Sequence, residues 1–163
     1  MKDYLFLPDR LKAVAKHIPS CRMLSDIGTD HAYIPIYAIK NNISQTAAAC
    51  DIVDGPLKIA AQNIASYNMT DKISVIKSDG LNNAPESDVF VIAGMGGEVI
   101  KEIIKHPNAK TKLVLQPMKD TDILYQALCE SGFSIEKLLQ NPHLTWRKDF
   151  DAQVIYDRLA KEK

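Results

Sequence analysis

Three aspartates stand at the ends of short apolar segments, and each has a glycine close behind it. The pairs are Asp26 with Gly28, Asp51 with Gly55 and Asp79 with Gly80. An ionised carboxylate only accepts hydrogen bonds, and a glycine leaves the neighbouring backbone amides open to a ligand. This set suits a ligand with ribose hydroxyls, an amino group and an adenine amine. One such aspartate alone typically caps a turn, but three at one edge of a sheet favour a binding site.

These acids meet only if their segments form a parallel sheet, because the carboxyl ends of parallel strands share one edge. Apolar runs predict strands at residues 22–27, 46–50, 73–76, 89–93 and 112–115. Helical spacing and stop signals predict helices at residues 7–18, 33–41, 57–67, 99–104 and 122–130. The alternation of strand and helix predicts an α/β fold with a mainly parallel sheet and helices on both faces.

The end of the chain follows another pattern. Residues 133–139 and 152–159 both have the composition of strands, and residues 140–151 between them show no helical pattern. We therefore expect an antiparallel pair at one edge of the sheet. No repeat, linker or low-complexity segment divides the chain, so residues 1–163 are predicted to form a single domain.

The composition is that of an ordinary soluble protein, with 46% hydrophobic and 25% charged residues. Twenty basic and twenty acidic residues cancel, so net charge neither favours nor excludes an RNA partner. The apolar runs are too short to cross a membrane and the N-terminus lacks a secretory signal, so we expect a cytoplasmic protein that makes no membrane contact. Cys21, Cys50 and Cys129 form no C-x-x-C pair and have no histidine at ligand spacing. No metal site is therefore expected, and the oligomeric state is not indicated.

The turn at residues 28–33 distinguishes two possible cofactors. A dinucleotide fingerprint needs three glycines, whereas this turn has one and places Asp30 and His31 where a pyrophosphate needs bare backbone. S-adenosylmethionine is the better match, because it has no phosphate and carries a positive sulfonium and an ammonium. The interval from Asp26 to Asp51 is compatible with one βαβ unit that ends in a ribose-binding acid.

Several motifs make a more specific resemblance. They are D-I-G-T-D-H-A-Y-I-P at residues 26–35, D-G-P at 54–56, D-G-L at 79–81, I-A-G-M-G-G at 92–97 and L-Q-P at 115–117. With residues 11–15 they resemble the tRNA (adenine(22)-N1)-methyltransferase family of class I S-adenosylmethionine-dependent methyltransferases. The resemblance covers residues 7–135. It implies a Rossmann-like, mainly parallel seven-stranded sheet whose last strand is antiparallel.

The resemblance also implies roles for individual residues. Around the cofactor, it places Asp26, Gly28 and Thr29 at the methionine part, Asp51 at the ribose, Asp79 and Gly80 at the adenine, and Ala93, Gly94 and Met95 close by. The substrate side is predicted to include Gly96, Gly97, Gln116 and Pro117. Arg10 joins them, from a first helix whose basic residues are either a solvated face or contacts to phosphate.

Three features differ from the family pattern. Asp51 stands where the family has Glu, and Met118 stands where it often has Asn. The family's C-terminal helical domain, thought to help grip tRNA, is absent, so the chain is expected to be the catalytic domain only. These differences concern the substrate more than the cofactor.

The predicted reaction is methyl transfer from S-adenosylmethionine to N1 of an adenine in tRNA. Asp30 or His31 is the expected proton acceptor, and Tyr33 the expected stacking partner of the base. The alternative roles are a core position for Tyr33 and a cap or buttress for His31. Rival functions are an S-adenosylmethionine-binding module without catalysis, a methyltransferase for a different substrate, and a nicotinamide-dependent oxidoreductase.

Overall fold

The computed structural model describes residues 3–106, 109, 111–140 and 153–159. They form an α/β sandwich in which helices cover both faces of one sheet. The elements in chain order are α1 (Asp9–Ala15), β1 (Cys21–Ile27), α2 (Tyr33–Lys40), β2 (Ser44–Asp51), α3 (Asp54–Ser66), β3 (Ile73–Lys77), β4 (Val89–Met95), α4 (Gly97–Ile104), β5 (Lys112–Pro117), α5 (Thr121–Glu130), β6 (Phe133–Gln140) and β7 (Gln153–Leu159).

The strands lie in the order β3-β2-β1-β4-β5-β7-β6. Strands β1 to β5 are parallel, whereas β7 pairs antiparallel with both β5 and β6. The chain runs outward from β1 through β2 to β3, then returns to place β4 on the other side of β1. Ligands of open α/β sheets bind at such a reversal, outside the carboxyl ends of the strands. The mainly parallel, Rossmann-like fold predicted from the sequence is confirmed.

Two apolar layers hold the sheet between the helices. Side chains alternate along each strand, so Leu24 and Val91 pack with residues of α1, α2 and α3, whereas Ile27 and Phe90 pack with residues of α4 and α5. Because both faces are buried, the central strands are almost continuously apolar. None of the helices in the described ranges is long and apolar enough to cross a membrane.

The element boundaries differ from the predicted ones where a proline or a bulge intervenes. Helix α1 begins at Asp9 rather than at residue 7, because Pro8 disfavours helical backbone at Leu7, which packs into the core outside the helix. Strand β4 continues past Ala93 to Met95 through an irregularity in its pairing with β5. Residues 141–152 lie outside the described part, so the loop predicted at 140–151 stays a prediction.

Candidate functional site

The turn after β1 is fixed by hydrogen bonds to the neighbouring strand and to its own first acid. Gly28 has φ +74°, a left-handed conformation that favours glycine. The amides of Gly28 and Thr29 both donate to the carbonyl oxygen of Cys50, each at 2.9 Å. The Thr29 hydroxyl Oγ1 donates to Oδ2 of Asp26 at 2.8 Å. The first two hydrogen bonds hold the turn against β2, and the third fixes the Asp26 carboxyl next to Thr29.

Asp26 is buried, with only 4% of its surface exposed. Burial raises the pKa of this carboxyl to about 7, although the Thr29 hydrogen bond and the positive charge of Arg10 oppose the rise. The negative charges of Asp51 and Asp30 add to it. A cationic ligand at this position would stabilise the ionised carboxylate, so the site is suited to a positive group.

Two cavities open at the carboxyl edge of the sheet and share Gly28 in their walls. The larger has a volume of about 640 Å³ and is lined by Asp51, Asp79 and Gly80. The smaller, of about 220 Å³, is lined by Asp26 and Thr29. An elongated ligand with chemically different ends could therefore lie across Gly28, one end in each cavity.

The larger cavity combines acids with an apolar wall. Asp51 ends β2, and its Oδ1 accepts a hydrogen bond from the amide of Val53 at 3.1 Å. Ile52, Val99 and Ile103 supply the apolar wall, and Ile52 and Val99 are 53% and 52% exposed. Sequence analysis missed these three residues. The sequence signal that could have identified such a residue is a large apolar side chain on the side of a helix that faces away from the core. Val99 on the exposed side of α4 is an example.

The smaller cavity brings together the three predicted catalytic residues. Asp30 has φ +56°, a strained conformation for a residue other than glycine. Its Oδ2 lies 3.0 Å from Nδ1 of His31, and the His31 ring stacks on Tyr33 with centroids 5.2 Å apart and planes at 6°. Asn63 Nδ2 donates to the His31 carbonyl oxygen at 2.9 Å. Tyr33 is half-buried, lines the smaller cavity and also packs against the core, so its role at the base and the alternative of a core position both stay predictions.

Arg10 lies away from the basic surface on which it was predicted. Lys12 and Lys16 are exposed, but Arg10 is half-buried in the wall of the smaller cavity, and its Nη1 donates to Oε1 of Gln116 at 2.7 Å. Burial lowers the pKa of the guanidinium, and the negative charges of Asp26 and Asp30 oppose the change. The helical pattern gave the correct helix, but the length of the arginine side chain brings its charge inward.

The predicted glycine-rich segment divides between the cavities and the interior. Ala93 lines the smaller cavity, and Met95 lines the larger one with its Cε next to the position a β-carbon of Gly28 would occupy. Gly97 is buried, and a β-carbon there would meet the backbone carbonyl oxygen of Asp120. Gln116 and Pro117 are buried as well. The structure therefore does not place Gly97, Gln116 or Pro117 at a cavity surface.

Metal chemistry finds no support in the part of the chain that the structure describes. In these ranges, no group of three or more histidine, cysteine, aspartate or glutamate side chains is placed to hold a metal ion. The arrangement offers acids, one half-buried cation, Arg10, and an apolar wall. These groups suit an organic ligand with hydroxyl, ammonium and carboxylate functions.

Residues 7–142 match the family model described as a methyltransferase domain. The chain belongs to the methyltransferase domain family. The tRNA (adenine(22)-N(1))-methyltransferase of Bacillus subtilis (strain 168) is 40% identical over 119 residues, which are 69% of this chain and 50% of that protein. The match thus spans about half the length of this curated relative. The family resemblance stated from the motifs is confirmed.

Two solved structures share the fold over almost the whole chain. M. capricolum TrmK, in complex with the cofactor product S-adenosyl-homocysteine, has a TM-score of 0.85 at 31% identity, covering 97% of this chain and 70% of that chain. A putative tRNA (m1A22) methyltransferase of Streptococcus pneumoniae, in complex with S-adenosyl-L-methionine, has a TM-score of 0.87 at 28% identity. It covers 97% of this chain and 75% of that chain.

Proposed function

We propose that this protein binds S-adenosylmethionine and transfers its methyl group to N1 of an adenine in tRNA. The observation that supports this most is the pair of cavities that meet at Gly28, one lined by Asp51 and the other by Asp26. The similarity to proteins named as tRNA (adenine(22)-N(1))-methyltransferase and putative tRNA (m1A22) methyltransferase supports the choice of substrate. The match covers half the length of the B. subtilis relative, so the activity named for that relative is our proposal for this chain.

The residues at both cavities fit the proposed cofactor. Asp26 would accept from the ammonium, and Arg10, the cation in the same wall, would hold the carboxylate. Asp51 would take the ribose hydroxyls, with Asp79 and Gly80 toward the adenine. Ile52 and Val99 give the adenine an apolar surface. Thr29 supports this arrangement indirectly, by donating to Asp26.

The cofactor would supply a methyl group that its sulfonium already activates. N1 of adenine has a lone pair and needs no deprotonation before it attacks, so the protein mainly has to align the base and exclude water. Methylation leaves a positive charge on the ring, and a proton on the exocyclic N6 becomes acidic. We assign that proton to the Asp30–His31 pair. A neutral His31 that donates Nδ1–H to Asp30 keeps Nε2 as an acceptor.

The base would reach this position outside the RNA stack. An adenine in a folded RNA must be turned out before a protein can react with its ring. The stacked rings of His31 and Tyr33 offer an aromatic surface beside the smaller cavity. We propose that this surface receives the base. Gly96, which follows β4, would let the base approach the backbone closely.

The proposal also covers the domain organisation, the RNA partner and the compartment of the protein. It treats residues 1–163 as one methyltransferase domain, with seven strands and an antiparallel last strand. Its RNA partner is tRNA, and its compartment is the cytoplasm, where tRNA is modified in bacteria. No membrane or metal is part of the proposed reaction.

The test is transfer of a labelled methyl group to tRNA transcripts that differ only in having A or G at position 22. Label that enters the adenine transcript alone and is recovered as N1-methyladenosine supports the proposal. Tight cofactor binding without any label in RNA indicates the binding module, and label in another molecule indicates a different substrate. Binding of NADH without binding of S-adenosylmethionine would identify the oxidoreductase.

A matched pair of variants tests the cofactor assignment. Asp51→Ala should weaken S-adenosylmethionine binding by about 1–3 kcal/mol, the range for a lost charge-assisted hydrogen bond. Asp54→Ala is the control, because Asp54 is exposed and pairs on the surface with Lys77 at 2.8 Å. Calorimetry on both variants measures the difference. Equal affinities would remove Asp51 from the site.

A further inference from the structure

The segment that joins β4 to α4 is tied to the end of β5 and the residues after it by hydrogen bonds, and it includes the last two residues of β4 and the first of α4. We define the glycine loop as residues 94–97. Oε1 of Gln116 accepts from the amide of Gly94 at 3.1 Å, and the amide of Met118 donates to the carbonyl oxygen of Met95 at 2.8 Å. The amide of Gly97 donates to the carbonyl oxygen of Lys119, also at 2.8 Å. Only the first of these bonds depends on a side chain.

Gln116 has no hydrogen-bonding capacity left for a substrate. Its side chain has 0% exposure, and Oε1 uses both lone pairs, one for Gly94 and one for Nη1 of Arg10. Nε2 donates to the carbonyl oxygen of Pro117 at 3.0 Å and lies 3.5 Å from Sδ of Met118. The guanidinium has donors only, so the oxygen of the amide must be the end that faces Arg10. The orientation of Gln116 is therefore fixed from both ends.

Arg10 connects this amide to the smaller cavity. Its guanidinium lies in the wall of that cavity with Asp26 and Ala93, and it makes no ion pair with a carboxylate within the described ranges. Gly94 has φ +82°, and a β-carbon there would lie 3.2 Å from Nη1 of Arg10. The backbone of the glycine loop, the Gln116 amide and the Arg10 cation thus form one packed unit. It joins α1, β4 and β5.

We propose that Gln116 is a positioning residue, which holds the backbone of the glycine loop through Gly94 and is itself oriented by Arg10. The reaction needs the base aligned with the methyl donor. The glycine loop borders the larger cavity through Met95, and Ala93, directly before the loop, lines the smaller one. Gln116 acts on that alignment without contacting the base. This inference rests on the proposed function for its kinetic effect, but its effect on the loop can be measured without RNA.

The experiment compares Gln116→Leu with Gln116→Glu. Leucine removes both acceptor positions, whereas glutamate keeps oxygen atoms toward Arg10 and the amide of Gly94. Gln126→Leu is the control, because Gln126 lies on the exposed side of α5 and bonds only to Glu130 at 2.8 Å. Hydrogen exchange of the Gly94 amide, calorimetry with S-adenosylmethionine, and kcat and KM for tRNA are measured for each protein.

Gln116→Leu should accelerate exchange at Gly94 and lower kcat by about 10- to 100-fold, the equivalent of a lost hydrogen bond to a charged group. The KM for tRNA should stay within about threefold, because Gln116 does not contact the RNA and acts on the alignment needed for the transfer step. Gln116→Glu should recover most of the lost turnover and of the protection at Gly94. Gln126→Leu should match the wild type in every measurement.

Three results would overturn the proposal. They are unchanged exchange at Gly94 in Gln116→Leu, equal impairment of the leucine and glutamate variants, and a raised KM for tRNA with kcat unchanged. If Gln116→Leu does not fold, Arg10→Met must accelerate exchange at Gly94 in its place. A wild-type protein that labels no RNA refutes the proposed function instead, and the exchange measurement still decides the role of Gln116.

Discussion

At the scale of residues, the buried Asp26 has the most unusual chemistry. Three other charged groups act on it, Arg10 favouring its ionised form and Asp30 and Asp51 opposing it. The nearest direct partner is the neutral hydroxyl of Thr29. A carboxyl with so little water, and with no ion-pair partner among the described residues, changes its protonation state close to neutral pH. Ionisation of Asp26 is therefore stabilised by a bound positive ligand, and it costs free energy when no such ligand is bound.

The raised pKa of Asp26 predicts how cofactor affinity depends on pH. Since the pKa in the free protein is about 7, the carboxyl must lose a proton to meet the ammonium below that pH and is already ionised above it. Affinity should fall as pH drops through 7. Calorimetry with S-adenosylmethionine on both sides of neutrality measures this.

Asp26→Asn is the variant that isolates the effect. The ammonium of the ligand titrates equally with both proteins, so the difference between them reports on Asp26 alone. The variant should bind more weakly above neutral pH and show a flatter pH dependence. A wild-type pH dependence retained in Asp26→Asn would contradict the assignment.

At the scale of elements, the strands were predicted better than the loops that join them. Five parallel strands follow from apolar runs, because a strand buried on both faces tolerates few polar side chains. The start of α3 at Asp54, earlier than residue 57, was hidden by Gly55 and Pro56, which are unfavourable inside a helix but tolerated in its first turn. The pairing of the glycine loop with residues 118–119 was not predictable, because it uses backbone atoms that carry no sequence signal.

Two glycine-to-alanine substitutions compare a glycine with open space around it, in α3, with a glycine that lies against the backbone of Asp120. Gly97→Ala should destabilise the protein by about 1–3 kcal/mol, because its β-carbon would meet the carbonyl oxygen of Asp120. Gly55→Ala should instead stabilise it by about 0.4–1 kcal/mol, since Gly55 lies in α3 with nothing within 4 Å of the added carbon. Urea denaturation of both variants measures the two free energies. Equal effects at the two positions would show that the contact with Asp120 does not constrain Gly97.

At the scale of the whole molecule, an RNA partner has to be attracted by local charge. The chain has no net charge at pH 7, and Arg10 is half-buried in a cavity wall, so the exposed basic residues of α1 and its C-terminal cap are Lys12 and Lys16. Helix α1 also supplies Arg10 and Leu11 to the smaller cavity. We therefore expect RNA at the proposed site to lie within reach of these two lysines, because the segment that carries them also lines the smaller cavity.

This placement predicts a salt dependence. The logarithm of the affinity for tRNA should fall linearly with the logarithm of salt concentration, and Lys12→Ala with Lys16→Ala should reduce that slope by about 1.5. The control is Lys101→Ala with Lys105→Ala on α4, on the opposite face of the sheet from α1. These lysines pair with Glu98 at 3.9 Å and Glu102 at 2.8 Å, as Lys12 pairs with Asp9 at 3.6 Å. Filter binding at several salt concentrations gives the slopes. A slope unchanged by the α1 substitutions would place the RNA on another surface.

The sequence by itself determined the sheet and the acids at its edge. Apolar periodicity predicts the strands, and the carboxyl ends of parallel strands share one edge of the sheet. The sequence alone therefore predicts that Asp26 and Asp51 lie at one site. Only the tertiary structure decided which residues the terminal groups of long side chains contact. Arg10 is a surface residue by helical pattern, yet its guanidinium reaches Gln116, 106 positions along the chain. Contacts of that range depend on how α1 packs across the sheet, which no local pattern encodes.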